Sequence, residues 1–283
     1  MPGKYYQGVK KYFADKAKQY DLVDEQLYWR LSDSLLKKIV EQTIVRKVSK
    51  KKSLRILDAG AGTGRWSFIL YHLLKKDGLR VRFDLVDITP EMLMEAEKKI
   101  KRANLGEIMN VKVGNIEKLG EMGPYDLAIS FYNVLSFTEK PDVALKQIAG
   151  RVKEGGVYAS IVANKYHSYY FNIIMNRIGE LGVIEARSKT RFTSNMPYIH
   201  CFSPESIRKM YLQAGFKKVE IIGFPNFIYP NIEDTAVTGQ SEKNKNILRD
   251  KKSFNRIMAL ELRECFNPDV AARGNALLVV GTK

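Results

Sequence analysis
The chain has 283 residues, 45% hydrophobic and 28% charged, and its 47 Lys and Arg against 31 Asp and Glu give a formal net charge of +16. That composition suits one large globular domain, or one domain with a lid. No stretch nears the roughly 18 apolar residues of a bilayer-crossing helix, and no apolar run follows Met1-Pro2-Gly3-Lys4 to suggest a secretory signal. Two distant cysteines, Cys201 and Cys265, speak against a disulfide framework or a metal site and for a reducing cytosol.

In chain order, residues 1–46 read as a helical lid. Tyr5, Val9, Tyr12, Phe13, Ala17 and Tyr20 recur near helical spacing. Leu31, Leu35, Leu36, Ile39, Val40 and Ile44 mark a second amphipathic helix, with Ser32 or Asp33 as its cap. Residues 47–283 read as the core, entered through a solvated lysine run at Lys47–Lys52. A first strand, Leu54–Leu57, ends in Asp58 and is followed by Gly60, Gly62 and Gly64, then by a helix beginning near Trp66. Glycines at a strand-to-helix turn let a ligand approach the backbone, and the helix N-terminus offers N–H groups to a carboxylate or phosphate.

The spacing separates two ligands. A dinucleotide turn, G-x-G-x-x-G, would need glycine where Arg65 or Ser67 stands, and the Gly-Lys-Ser/Thr ending of a P-loop is absent. A second strand, Val81–Val86, ends in Asp87, 23 positions beyond Gly64. An acid about there, closing the second strand, is placed to accept both hydroxyls of a ribose. Thr89 and Pro90 suit the start of the next helix. A third strand segment runs Val111-Lys112-Val113 into Gly114-Asn115-Ile116-Glu117, and a fourth runs Tyr125–Ser130 into Phe131-Tyr132-Asn133. A fifth follows Gly155-Gly156 to about Val162, and the last two are Lys218–Gly223 and Ala276–Gly281. Two inserted segments flank them. One, near 165–203, is rich in aromatic and basic residues, and the other, near 225–273, holds a polar stretch from Asp234 to Asp250 and a helix near Phe254–Cys265.

Asp58-x-Gly60-x-Gly62-x-Gly64, with Asp87 in register, resembles the first motifs of the class I S-adenosylmethionine-dependent methyltransferases. The resemblance implies an α/β, Rossmann-like fold: a seven-stranded mixed sheet of order 3-2-1-4-5-7-6, its last strand antiparallel, with helices on both faces and the N-terminal lid above. It implies S-adenosylmethionine as cofactor and no metal. The cofactor contacts it implies are Asp58, Ala59, Gly60, Gly62, Thr63 and Gly64 at the first turn, and Asp87, Ile88 and Met92 at the second. They continue with Asn115, Ile116 and Glu117 at the third, Phe131 at the fourth, and Arg30 from the lid. Family members usually carry Asp where this chain has Asn115, whose amide oxygen presents the same acceptor.

The same resemblance leaves the methyl acceptor open. Polar groups expected near the sheet's C-terminal edge are Tyr132, Asn133, Asn164, His167 and His200, with Tyr20 and Tyr28 from the lid as further lining. Tyr132 and His167 are the candidate catalytic residues, and His72 reads as structural or exposed. The expected reaction is methyl transfer to N or O of a small-molecule or peptide-like acceptor. One alternative comes from flanks that resemble the tRNA wobble-uridine carboxymethyl(oxy) methyltransferases as well as natural-product methyltransferases. A +16 surface attracts polyanions such as RNA, yet the lysines are scattered. The other alternative is a catalytically silent, cofactor-binding interaction protein.

Overall fold
The computed structural model describes residues 3–228 and 247–283; residues 234–246 of the polar stretch lie outside the described residues. Among the described residues nine strands form: β1 (Ser53–Ala59), β2 (Arg80–Asp87), β3 (Met109–Val113), β4 (Tyr125–Ser130), β5 (Val152–Asn164), β6 (Lys189–Thr190), β7 (Ile199–Phe202), β8 (Lys218–Phe224) and β9 (Ala276–Thr282). The main sheet runs β3-β2-β1-β4-β5-β9-β8, with β9 antiparallel to both its neighbours. Those seven strands, counted in chain order, have the expected order 3-2-1-4-5-7-6. The short β6–β7 hairpin is additional. It attaches to the C-terminal tip of β5, where Ala163 and Asn164 pair in parallel with Cys201 and Phe202.

Both faces of the sheet are buried, and the strands show why. Ile56, Val157, Ala159, Ile161, Leu278 and Val280 enter one apolar cluster, while Leu57, Tyr158, Val162, Leu277 and Val279 enter the other. Alternate residues of one strand therefore serve opposite layers, the period-2 signature of a strand covered on both sides.

The helices are α1 (Lys4–Ala14), α2 (Leu27–Val40), α3 (Arg46–Val48), α4 (Arg65–Lys76), α5 (Pro90–Arg102), α6 (Pro141–Ala149), α7 (Lys165–Ile174), α8 (Gly179–Arg187), α9 (Pro204–Gln213), α10 (Lys251–Glu264) and α11 (Pro268–Ala271). A 3-10 segment, Ala17–Glu25, joins α1 to α2, and a π turn, Glu41–Val45, leads into α3. The first cluster takes residues of α2, α4, α5 and α10; the second takes residues of α6 and α9. No helix of the described residues is long and apolar enough to cross a membrane.

Two local expectations are corrected. α2 starts at Leu27 with Gln26 at its N-cap, so Ser32 and Asp33 lie inside the helix and cap nothing. Its apolar face begins a turn earlier than the leucine pattern suggests, at Tyr28, and Asp33 is held by a cation rather than by a helix end. The lysine run before β1 is less solvated than expected: Lys47 pairs with Glu220 at 2.6 Å and Lys51 with Asp126 at 2.8 Å.

Candidate functional site
A cavity with about 880 Å³ of empty space, part of it open to solvent, lies at the C-terminal ends of β1, β2 and β4. The glycine turn forms its floor. Gly60, Gly62 and Gly64 have φ of 91°, 53° and 72°, the left-handed region that side chains disfavour. Gly60 and Ala61 donate to the Val86 carbonyl at 2.7 and 3.0 Å, which folds the turn back onto β2. A Cβ on Gly60 would lie 2.2 Å from Val134, and one on Gly62 would lie 3.1 Å from Met92. The turn is closed to a side chain at Gly60, while at Gly62 the flexible end of Met92 is what a side chain would meet. Gly64 caps α4 with no side-chain bond, so the first N–H groups of α4 are left for a ligand.

Two carboxylates bracket this turn, Asp58 buried and Asp87 half-buried. Asp58, 2% exposed, accepts from the Ser67 hydroxyl at 2.6 Å. Burial pushes its carboxyl up to about 7; the Ser67 bond opposes that rise and the charge of Asp87 adds to it. Asp87 accepts from the Gly62 N–H and the Thr89 N–H, each at 2.8 Å. Burial raises its pKa as well, and those N–H groups work against the rise. One oxygen of Asp87 is therefore fixed by each side of the turn, and both keep lone-pair capacity for hydroxyl donors. Further along, Gly114, Asn115 and Ile116 line the cavity beside Ile88 and Met92. The Asn115 amide oxygen takes the Glu117 N–H at 2.9 Å, so part of its acceptor capacity is used locally.

The roof comes from the N-terminus. Tyr6, Val9 and Phe13 of α1 and Tyr20 of the 3-10 segment line the cavity. Three contacts pin them down. Asp21 accepts from Thr63 at 2.7 Å and pairs with Lys99 at 2.7 Å, and Tyr6 donates to Glu117. Burial pushes the Tyr20 phenol up to about 12, against the pull of Arg65. α2 is different: Leu31, Leu35, Leu36 and Ile39 are fully buried in the main cluster.

A charged network closes the far end. Arg65, the first residue of α4, pairs with Asp33 of α2, and the Tyr132 hydroxyl donates to the same carboxylate. Arg65 and Asp33 have side chains only 11% and 6% exposed. Tyr132 and Asn133 both have left-handed backbone, φ 58° and 65°, which turns the chain sharply after β4 and puts Tyr132 on the cavity wall. Beside them Trp66 is 3% exposed, and its indole N–H has no partner among the described residues.

Of the residues singled out in the sequence, Asp58, Gly60, Gly62, Thr63, Asp87, Ile88, Met92, Asn115, Ile116, Phe131, Tyr20 and Tyr132 line the cavity. Ala59 and Gly64 lie directly behind the turn, and Glu117 holds the lid through Tyr6. The rest are elsewhere. Arg30 is exposed on α2, and Tyr28 is 1% exposed in the core, edge-on to Trp29. Asn133 is a backbone hinge whose N–H donates to Ile161. Asn164 caps α7 and donates to the carbonyls of Ala272 and Gly274, so it bolts segments together and does not face the cavity. His167 is 3% exposed, bonded to Asn275 at 2.8 Å, and burial drives its pKa down to about 4. His200 is half-buried, its ring nitrogen 3.3 Å from the Glu139 carbonyl, outside the cavity. The reading missed Tyr6, Val9, Phe13, Arg65, Trp66, Val134, Phe137 and Thr138. The only signal for them was the helical spacing that already included Val9 and Phe13.

Comparisons with known proteins give the family and the fold. The model of the ubiE/COQ5 methyltransferase family matches residues 3–227. A Rickettsia bellii protein named ubiquinone/menaquinone biosynthesis C-methyltransferase UbiE is 26% identical over 225 residues, spanning 75% of this chain and 85% of its own. Magnesium protoporphyrin IX methyltransferase of Synechocystis, with bound S-adenosylhomocysteine, superimposes with a TM-score of 0.53 at 18% identity, over 77% of this chain and 93% of its own. A Haloferax volcanii methyltransferase in complex with the Trm112 activator gives a TM-score of 0.55 at 17% identity, over 95% and 96%. At such identities the two structures speak for the fold.

Proposed function
The chain belongs to the ubiE/COQ5 methyltransferase family and takes S-adenosylmethionine as its cofactor, and from that premise we propose that it methylates a ring carbon of a small, largely apolar acceptor inside the cavity. One observation carries the acceptor class. Among the described residues that line the cavity the charged ones are Asp58, Asp87 and Arg65, and Arg65 is already paired with Asp33. The two acids are assigned to the cofactor, so no charged side chain remains for a charged acceptor, which would be desolvated without a partner. Val9, Phe13, Val134 and Phe137 offer apolar walls instead. Carbon, rather than the N or O expected from the sequence, follows the relatives named C-methyltransferases. The unpartnered Trp66 N–H and the Tyr132 hydroxyl suit an oxygen substituent on the ring.

In this reading Asp87 accepts the ribose hydroxyls, Asp58 faces the cofactor's ammonium, the N–H groups of α4 take its carboxylate, and Asn115 with Ile116 meets the adenine. The bound cofactor would supply a methyl group already activated by its sulfonium: the ring C–CH3 bond forms as the S–CH3 bond breaks, and the proton on that ring carbon is then lost to water as the product leaves. The lid residues Tyr6, Val9 and Phe13 keep water out and hold the acceptor in line, which is worth more here than acid–base chemistry.

The raised pKa of Asp58 makes cofactor affinity pH-dependent. The ammonium needs the ionised carboxylate, so binding below about pH 7 must first remove a proton. Affinity for S-adenosylhomocysteine should fall by up to about tenfold per unit as pH drops from 7 towards 5, and level off above 7. In the unliganded chain the sign reverses: ionising Asp58 there lowers stability as pH rises from the ordinary carboxylate range to about 7, and the loss stays constant above it. Calorimetry at several pH values checks this, with Asp58→Asn as the variant that should remove the step. A flat profile in the unaltered chain would take Asp58 off the ammonium.

The acceptor is tested by incubating the chain with methyl-labelled S-adenosylmethionine and three pools: hydroxylated aromatic ring compounds, total tRNA, and short peptides. Label in the ring compounds, located on carbon by NMR, is the expected result. Label in tRNA alone would restore the wobble-uridine reading, and label on N or O of a small molecule would restore the expectation from the sequence.

A further inference from the structure
α1 has two working faces. Tyr6, Val9 and Phe13 line the methyl-transfer cavity, whereas Lys4, Gly8 and Lys11 of the same helix border a second concavity, walled on its far side by the end of α8, β6 and residues 195–198. This groove encloses about 1440 Å³ of empty volume, open to solvent. Five cations border it, Lys4, Lys11, Lys16, Arg187 and Lys189, against one acid, Asp15. Some basic side chains of this molecule pair with acids, as Lys47, Lys51, Arg55, Lys99 and Lys153 do. None of these five is in an ion pair with a carboxylate of the described residues. Lys16 lies 3.7 Å over the Tyr12 ring and Lys189 lies 5.7 Å over the Tyr5 ring. Those contacts position two of the charges without neutralising them.

Gly8 is the second observation. It stands in the middle of α1, where glycine weakens a helix relative to alanine. Its backbone is not left-handed, and a Cβ there would meet nothing within 4 Å. Neither the helix nor its packing calls for glycine. What a side chain at this position would do is narrow the groove.

We propose that this groove is a binding site for a small phosphate-bearing anion, separate from the methyl-transfer cavity. Charge supports phosphate: four net positive charges border one concavity, and a guanidinium with several ammonium groups matches the multiple oxygens and charges of a phosphate better than a single carboxylate. Shape supports a compact anion, because the cations surround a hollow bounded on two sides and do not track a stripe as they would along a strand. The site is independent of the identity of the methyl acceptor.

The test is calorimetric titration of inorganic pyrophosphate into the full chain saturated with S-adenosylhomocysteine, which keeps the probe out of the cofactor site. One pyrophosphate should bind, and more weakly at about 0.3 M salt, where screening shortens the reach of the charges. Lys11→Glu with Lys189→Glu should reduce that affinity by about tenfold or more. Gly8→Glu should do the same by placing a carboxylate in the groove, with the melting temperature of the chain retained. In both variants the affinity for S-adenosylhomocysteine should be unchanged, which separates this site from the methyltransferase reading. Absence of pyrophosphate binding, or binding indifferent to both variants, overturns the proposal. So does a single-stranded oligouridylate that binds through Lys11 and Lys189 when pyrophosphate does not.

Discussion
Gly60→Ala is expected to remove cofactor binding while leaving the sheet folded. The new Cβ would lie 2.2, 2.6 and 2.9 Å from Cγ1, Cγ2 and Cβ of Val134, and the φ of 91° is one that alanine resists. Left-handed backbone at a non-glycine residue costs on the order of 1–3 kcal/mol before any clash. Val134 cannot rotate freely out of the way, because a β-branched side chain has few χ1 options. Its loop is also held by the Asn133 N–H on Ile161 and the Phe137 N–H on Val134. The turn must shift, or Val134 must move into the cavity; either occupies space assigned to the cofactor. Affinity for S-adenosylhomocysteine should fall by about a hundredfold or more, equivalent to about 2.7 kcal/mol. Gly62→Ala should be milder, since its neighbour is the flexible methyl end of Met92 at 3.1 Å. Adding Val134→Ala to Gly60→Ala relieves the clash but not the backbone strain, so it should recover only part of the loss. Calorimetry with far-ultraviolet circular dichroism reads all four; Gly60→Ala binding within threefold of the unaltered chain would remove the cradle from the argument.

Asp33→Ala is expected to give the largest loss of stability. It leaves the Arg65 guanidinium, with its side chain 11% exposed, without its carboxylate, and it takes the acceptor from the Tyr132 hydroxyl. Breaking one side of a buried ion pair typically costs about 3–5 kcal/mol. At roughly 2–4 °C per kcal/mol for a chain of this size class, the melting temperature should drop by about 10 °C. Asp33→Asn keeps an oxygen for both partners and should lose much less. Asp33→Leu combined with Arg65→Met removes both charges, and it should be more stable than Asp33→Ala because no charge stays buried. Thermal unfolding of the four proteins is the measurement. If Asp33→Ala melts within a degree or two of the unaltered chain, the network is a surface pair in solution.

The sequence by itself determined the strands of the sheet and the residues proposed for one half of the site. Seven strands were legible because most are covered on both faces and so read as short apolar runs closed by a turn residue, while their order came from the resemblance to the methyltransferase family. The half proposed to hold the cofactor was legible because it sits in local signals: Asp58 and three glycines in one turn, and Asp87 at a fixed distance along the chain, all of them on the cavity or beside it. The acceptor half was decided by tertiary structure. Asp33 reads as a helix cap until Arg65, 32 positions away along the chain, is folded against it. Asn164 and His167 read as site residues because they follow a strand's C-terminal end. The return of residues 272–275 over that end gives both of them backbone or amide partners and turns them into structure. Conversely Tyr6 and Phe13 became roof because Glu117 and Thr63 anchor the N-terminal segments above the cavity. Local spacing fixes which face of a helix is apolar; only long-range pairing of polar groups fixes what that face covers.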